Sequence, residues 1–359
     1  MKYLSQLTAL SLLSLPLFAD ENANQMIQFE QRLSALEEKA HDSKIYNSSA
    51  RPHVADSYHV YITGSGLFWK PSENGLEYVV KTNDPFLTGS NDKQTLKSLH
   101  FDYDIGFRVG LGFNLPHDAW DLFLNWTRFY TDASGHTHAN SDDGLLPIWS
   151  SLLDGSQDPF QHAHSHWRLR MDMIDGEIGR EYYIGKWVSL RPSLGVRTVW
   201  IKQHDNIRYD HFFNTALEED RIRLVNDFSG IGPKAAIDST WDLCWGFSLY
   251  GAGSLSLLYG EFEIRSHEHL TATVSKKNSF HDDFHLIRAL ADLQVGIGWD
   301  ILFFHDRFHF GIRACWEQML FFGQNQLYRL VNSDFKGSYV SNLGDLSFQG
   351  GTLSVRLDF

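Results

Sequence analysis

The sequence predicts an all-β fold, a transmembrane antiparallel up-and-down β-barrel of about 10 strands (10–12), behind a short N-terminal periplasmic helix. Three observations support this fold class. Long stretches of the 359-residue chain alternate apolar side chains with polar residues or glycine. The connections between them alternate between short turns and long polar links. The C-terminal stretch, GGTLSVRLDF, still alternates up to the terminal Phe359.

Residues 1–19 have the pattern of a secretory signal peptide. Lys2 precedes an apolar stretch that ends at Phe18, and the small residue Ala19 marks the expected cleavage site. A buried N-terminal strand or helix is the alternative interpretation. The mature protein is therefore expected to begin near Asp20, outside the cytoplasm.

Residues 20–46 are predicted to form an amphipathic helix, followed by a linker at 47–57 and the barrel at 58–359. Because so short a helix is marginal in water, we expect it either to join other copies in a homo-oligomer or to lie on the protein. Within 25–42 the apolar residues are spaced 3, 4, 3 and 4 apart, as in a heptad seam: Met26, Phe29, Leu33, Leu36 and Ala40.

The barrel region contains strands too long for a soluble β-sandwich. Sandwich strands have about 5–6 residues, whereas FDYDIGFRVGLGF alone alternates from Phe101 to Phe113. A bilayer-spanning strand needs about 9–11 residues. The stretch MDMIDGEIG alternates less well, which predicts a β-bulge near Asp175 or Gly176. The predicted strands are 58–70, 98–113, 121–132, 166–183, 187–210, 222–240, 243–266, 284–301, 307–330 and 345–359, and 76–81 is either a loop hairpin or an extra strand.

The connections predict which end of the barrel faces which compartment. Short turns lie at 114–120, 184–187, 240–244 and 303–307, and long links at 71–97, 132–165, 211–221, 267–283 and 331–344. Outer-membrane barrels have short periplasmic turns and long extracellular loops, so both termini are expected to be periplasmic. Five tryptophans beside the short turns predict an aromatic girdle at that interface: Trp120, Trp187, Trp241, Trp245 and Trp299.

The last strand is predicted to close the barrel by pairing with the first, since a barrel leaves no free sheet edge. Leu353, Val355, Leu357 and Phe359 lie on one face of this strand. Their alternation resembles the C-terminal signal that the barrel-assembly machinery recognises. Outer-membrane lipid is the other expected partner.

Composition excludes several classes of protein. The formal net charge of −13 and the lack of a clustered basic face argue against nucleic-acid binding. No apolar run of about 18 residues follows residue 19, which excludes transmembrane helices. Cys244 and Cys315 belong to no CxxC motif, so a cysteine-built zinc site is excluded. Both are predicted to point inwards on strands two apart, which makes a disulfide unfavourable.

The inward face carries the residues that would set ion preference in a channel. Both charge signs are mixed, so no selectivity follows, and in a narrow barrel the same charges could pair and plug the lumen. The lumen-lining candidates are Asp102, Asp104, Arg108, Arg191, Arg197, Arg288, Asp292, Asp300, Arg313, Glu317 and Arg356.

The sequence indicates no cofactor and no catalytic centre. Nucleophile elbows, HExxH motifs and carboxylate pairs beside a histidine are missing from it, so no enzymatic activity is expected. The alternating histidines His162, His164 and His166 are weak metal candidates, because a solvated polar loop also explains them. Two functions stay open. One is passive diffusion of small hydrophilic solutes or ions; the other is an adhesin or structural barrel whose long loops bind host or envelope partners.

One segment resembles a known family. The run WRLRMDMIDGEIGREYYIGKWVSLRPSLGVRTVWIKQ (167–203) is similar to the core of the Legionella-type major outer membrane proteins, a family also expanded in chlamydia-like bacteria. The signal peptide, heptad segment and strand pairs extend the resemblance over residues 20–359. The resemblance implies an abundant, surface-exposed porin in the outer membrane of a Gram-negative bacterium.

Overall fold

The computed structural model describes residues 49–359 except 53, 56–57, 85–92, 116–118, 141–142, 153–159, 214–215, 273–274 and 331–337. The predicted signal peptide (1–19) and the predicted helix (20–46), including the heptad segment 25–42, lie outside the described residues. Within the described part of the chain, no helix is long and apolar enough to cross a membrane.

All regular elements of the described chain are β-strands, because the period-two alternation runs through nearly all of it. They are β1 (Val60–Glu73), β2 (Val79–Thr82), β3 (Gln94–Lys97), β4 (Asp104–Asn114), β5 (Trp120–His138), β6 (Gly144–Pro147), β7 (His162–Arg180), β8 (Tyr182–Tyr183), β9 (Val188–Phe213), β10 (Ala216–Asp242), β11 (Phe247–Thr271), β12 (Lys276–Phe303), β13 (Phe308–Leu330) and β14 (Tyr339–Asp358).

Ten of these strands form one closed antiparallel barrel, as predicted. The pairing order is β1-β4-β5-β7-β9-β10-β11-β12-β13-β14, and β14 returns to β1. The closing pair runs from Tyr61 opposite Asp358 to Glu73 opposite Leu346. The prediction that the last strand pairs with the first is therefore confirmed.

The outer face of the barrel carries an apolar band on its short-turn half. Exposed members of the band include Ile105, Val109, Leu122, Leu194, Val196, Leu255, Leu257, Leu293, Val295 and Leu353. Further along the strands the outward positions become polar, as at Arg128, Lys202 and Glu261. Because about 9–11 residues suffice to cross a bilayer, strands of 25–28 residues such as β11 and β12 extend well beyond this band.

Two details of the strands differ from the sequence predictions. Segment 76–81 adds no barrel strand, since β2 pairs with β3 and β6 in a separate three-stranded sheet. The β-bulge near Asp175 is wrong, because β7 keeps a continuous register with both β5 and β9. Alternation looked weak there because the inward residues Met171 and Met173 are themselves apolar. A register shift occurs instead on β13, between Phe321 and Asn325.

The three-stranded sheet closes the long-link end of the barrel. The Tyr78 hydroxyl lies 2.7 Å from that of Thr137 on β5, and the Tyr209 hydroxyl of β9 donates to the Tyr78 carbonyl. The link that follows β6 reaches across to β11, where Ser151 N donates to Glu268 Oε1 at 2.8 Å. The described parts of the links around β2 and β6 therefore pack onto β5, β9 and β11 at this end of the barrel, whereas most of the predicted links 211–221 and 267–283 belongs to β9, β10, β11 and β12.

Candidate functional site: the barrel lumen

A charge-lined cavity of about 190 Å³ occupies the short-turn half of the lumen. The alternation of the strands places polar side chains inwards here, opposite the apolar band on the outer face. Among its lining residues the charges balance, with six cations and six carboxylates: Arg108, Arg191, Arg197, Lys234, Arg313 and Arg356, and Asp175, Glu177, Glu181, Asp238, Asp292 and Asp300.

The deepest ion pairs of this cavity join β7, β9 and β10. Arg197 donates from Nε and Nη2 to the two oxygens of Asp175, each at 2.7 Å. Lys234 Nζ lies 2.8 Å from Asp175 and 2.9 Å from Glu177. A buried charge is tolerated only when it is paired and hydrogen-bonded, so this cluster fixes the positions of its three strands relative to one another.

Further ion pairs bridge the opposite wall. Arg108 on β4 reaches Glu317 on β13 at 2.7 Å, and the Thr352 hydroxyl donates to the same carboxylate at 2.9 Å. Nearer the short turns, Arg191 lies 2.6 Å from Asp121. The charges therefore pair with one another inside the lumen.

Beyond the cavity the lumen is closed by an apolar layer. These side chains come from nine of the ten barrel strands, and each is at most 2% exposed: Leu67, Trp69, Phe129, Met171, Met173, Val199, Ile201, Phe228, Leu258, Phe262, Leu290, Met319, Phe321, Leu346 and Phe348. A water-filled passage through this level would leave several of them exposed. The described conformation therefore has no open pore through the layer.

β4 is the one barrel strand that contributes no side chain to the apolar layer. Its inward positions hold Arg108, whose Nε donates to Thr127 at 2.9 Å, and Asp104, which accepts from Thr131 at 2.6 Å. Gly106 lies between them, and a Cβ there would stand 2.7 Å from the Phe129 ring. A polar seam along β4 and β5 is thus interrupted by one aromatic ring.

Buried carboxyls lie above the layer, past the outer apolar band. Burial raises the pKa of Asp205 to about 7, although Ser165 Oγ donates to its Oδ1 at 2.7 Å. Burial also raises the pKa of Glu73 to about 8, and the neighbouring Asp205 carboxylate adds to that shift. Both side chains are at most 5% exposed, which agrees with a closed lumen at this height.

The predicted lumen residues occupy different levels of the interior. Arg108, Arg191, Arg197, Asp292, Asp300, Arg313 and Arg356 line the charged cavity, and Glu317 accepts from Arg108 at its edge. Arg288 stacks over the Phe262 ring at 5.5 Å, and Asp104 lies in the polar seam. Asp102 does not line the lumen, because it precedes β4, where its side chain is 80% exposed.

Sequence reasoning missed the centre of the ion-pair cluster. Asp175, Glu177 and Lys234 were not among the candidates, although the first two lie in the acidic DMIDGEIG run. With a bulge expected near Asp175 or Gly176, no residue of this stretch is assigned to the inward face. An uninterrupted period of two through residues 171–179 would have identified both carboxylates.

The remaining predicted residues lie at the ends of the barrel. The girdle residues Trp120, Trp187, Trp241 and Trp245 are exposed beside short turns, and Trp299 is half-buried there. The assembly-signal residues are on β14 and at its end, with Leu353 on the outer face. Cys244 does not point inwards, because it lies exposed in the β10–β11 turn, whereas Cys315 is buried in the lumen; both are free.

A family model described as Legionella pneumophila major outer membrane protein precursor matches residues 51–359. The chain belongs to this family. The match confirms the resemblance found in the sequence and, together with the barrel fold, places the protein in the outer membrane. None of the curated proteins compared with the chain matches it.

Several solved outer-membrane barrels are similar in fold. The outer membrane protease OmpT from Escherichia coli has 9% identity and a TM-score of 0.41, over 87% of this chain and 100% of that chain. A Pseudomonas aeruginosa FadL homologue has 9% identity and a TM-score of 0.28, over 85% and 90%. The Pseudomonas putida toluene transporter TodX has 7% identity and a TM-score of 0.27, over 87% and 95%. At these values their activities carry no weight for this chain.

Proposed function

We propose that this family member is a gated outer-membrane channel of porin type for small hydrophilic solutes or ions. The polar seam along β4 and β5 carries the proposal, because it joins the charged cavity at Arg108 to the partly exposed Asp104. Only the Phe129 ring, packed 5.5 Å from that of Trp69, interrupts the seam. Apolar constrictions of this kind gate channels by excluding water.

The energetics favour a local gate over an opening of the whole layer. Exposing an apolar side chain costs about 1.5–3 kcal/mol, so displacing all fifteen members of the layer would cost on the order of 20–45 kcal/mol. Rotating one or two rings beside β4 exposes far less apolar surface. The proposed passage therefore follows β4, and the charges of the cavity act on solutes that enter it.

Several finer features belong to the same proposal. The long links face the cell exterior and both termini face the periplasm, as is usual for outer-membrane barrels. Lipid covers the apolar band, and the barrel-assembly machinery recognises the end of β14. We assign no enzymatic activity to the chain.

A second function is favoured because the barrel interior is packed over a long distance beyond the apolar layer. The interior stays packed from the apolar layer to the three-stranded sheet at the long-link end, through the buried side chains of Trp167, Tyr209 and Tyr78. If the barrel never opens, it serves as an anchor, and the long links form a binding surface for host or envelope partners.

Single-channel conductance distinguishes the two functions. The folded mature chain is inserted in a planar bilayer, as wild type, as Phe129→Ala and as Phe107→Ala, a matched control on the lipid-facing side of β4. A gated channel gives discrete openings in the wild type, longer openings in Phe129→Ala and no change in Phe107→Ala. A wild type that never conducts would overturn the channel proposal, whether or not Phe129→Ala conducts.

A further inference from the structure

Two adjacent strands carry opposed histidines on the outer face of the barrel, beyond the apolar band. His138 on β5 lies directly opposite His162 on β7, and His136 lies opposite His164 two residues further along. Directly opposed residues of an antiparallel pair have Cβ atoms about 4.5–5.5 Å apart. Neither the fold nor the proposed channel needs imidazoles here, since this face contacts neither the lumen nor the apolar band.

The geometry of one rung points to a shared ligand. The Nδ1 atoms of His138 and His162 lie 3.2 Å apart, and their ring centroids are 4.6 Å apart. Two nitrogens bound to one tetrahedral Zn²⁺ at about 2.0–2.1 Å are about 3.3 Å apart. A square-planar arrangement with the same bond lengths brings them to about 2.9 Å. The observed separation is nearer to the tetrahedral value.

We propose that His138 and His162 form a surface site for a divalent transition-metal ion such as Zn²⁺. Neutral imidazole is a good ligand for zinc. Within the described part of the chain, no three His, Cys, Asp or Glu side chains are arranged to hold a metal. Among the described residues the proposed site has two protein ligands, and water would complete the coordination.

The surroundings do not repel a cation. Lys81 lies close to the site, since its Nζ donates to the His138 carbonyl at 3.3 Å, but it is paired with Asp143 at 2.9 Å. Arg208 on β9 lies opposite His164 and is paired with Asp210 at 2.9 Å. Asp210 itself lies opposite His162. Each nearby positive charge is thus neutralised by a carboxylate.

The structure also explains why these two histidines differ from their neighbours. The rings of His136 and His164 have centroids 6.3 Å apart, and those of His136 and His162 are 6.4 Å apart. Among these four histidines, the His138–His162 rung is the one in which two ring nitrogens approach each other closely. His136 lies on the same outer face.

Zinc titration by isothermal calorimetry tests the site, using the tag-free mature barrel in detergent micelles. The wild type should bind one Zn²⁺ that is lost in His138→Ala/His162→Ala, and each single variant should weaken binding by at least about tenfold because the chelate is lost. His204→Ala is the matched control, since this outer-face histidine on β9 lies opposite Arg168 and no other histidine. Its affinity should equal that of the wild type.

Electron paramagnetic resonance of bound Cu²⁺ provides a second readout, because two coordinated nitrogens give a splitting that the double variant should lack. Heat-modifiable migration on a gel shows that each variant is folded. Equal zinc affinity in the wild type and the folded double variant would overturn the proposal. The two rings would then share only a hydrogen bond.

Discussion

Asp205 offers a direct test of the closed lumen. The carboxyl is 2% exposed inside the barrel, and its Oδ2 has no hydrogen-bond partner within the described chain. Burial raises its pKa from the ordinary 3.8 to about 7. Between these values the folded state binds a proton that the unfolded state releases. The free energy of unfolding therefore falls as the pH rises through this window.

The magnitude follows from the two pKa values. A displacement from 3.8 to about 7 corresponds to about 4 kcal/mol, at about 1.4 kcal/mol for each tenfold change in proton affinity. Most of this, about 3 kcal/mol, falls between about pH 4.5 and pH 8.5. Asparagine has nearly the same shape as aspartate but carries no charge. The free energy of unfolding of Asp205→Asn should therefore lack this pH-dependent component.

Urea unfolding of the barrel in micelles, followed by tryptophan fluorescence, measures the effect at both pH values. From about pH 4.5 to about pH 8.5, the free energy of unfolding of the wild type should fall by about 3 kcal/mol more than that of Asp205→Asn. Asp283→Asn, at a 64% exposed side chain on β12, is the control and should follow the wild type. A difference between wild type and Asp205→Asn that changes by less than about 1 kcal/mol would refute the reasoning, since water would then reach Asp205.

Three further perturbations test the interior and the turns. Asp175→Asn leaves the buried Arg197 with only Asp292 at 3.8 Å, and should cost about 3–5 kcal/mol of unfolding free energy in urea; a cost below about 1 kcal/mol would contradict this role. Gly246→Ala should lower the melting temperature, because φ is +81° and the new Cβ would lie 2.3 Å from the Asp300 carbonyl; Gly185→Ala, with open space around it, should not. Maleimide should label Cys244 in the folded chain and Cys315, 8% exposed at the wall of the charged cavity, only after unfolding; labelling of Cys315 in the folded barrel would show that the reagent enters this cavity.

Much of the fold could be predicted from the sequence because a strand's two faces alternate with a period of two. The predicted strands 187–210 and 307–330 lie close to β9 (Val188–Phe213) and β13 (Phe308–Leu330). Period two also identifies Arg197 as an inward residue without any knowledge of its partners. The alternation of side chains between the two faces of a strand depends only on residues that are neighbours in sequence.

The partners and the water content of the lumen needed the tertiary structure. Arg197 is 22 residues from Asp175 and 95 from Asp292 in sequence, and only the register of the barrel brings the three together. Likewise, the inward Met171 interrupts the alternation of polar and apolar residues in the sequence. The structure shows that it belongs to a layer with fourteen other apolar side chains. The sequence by itself determined a closed outer-membrane barrel and part of its inward face. Which inward side chains meet is set by strand tilt and stagger, so only the tertiary structure decided that a charged cavity ends at an apolar layer.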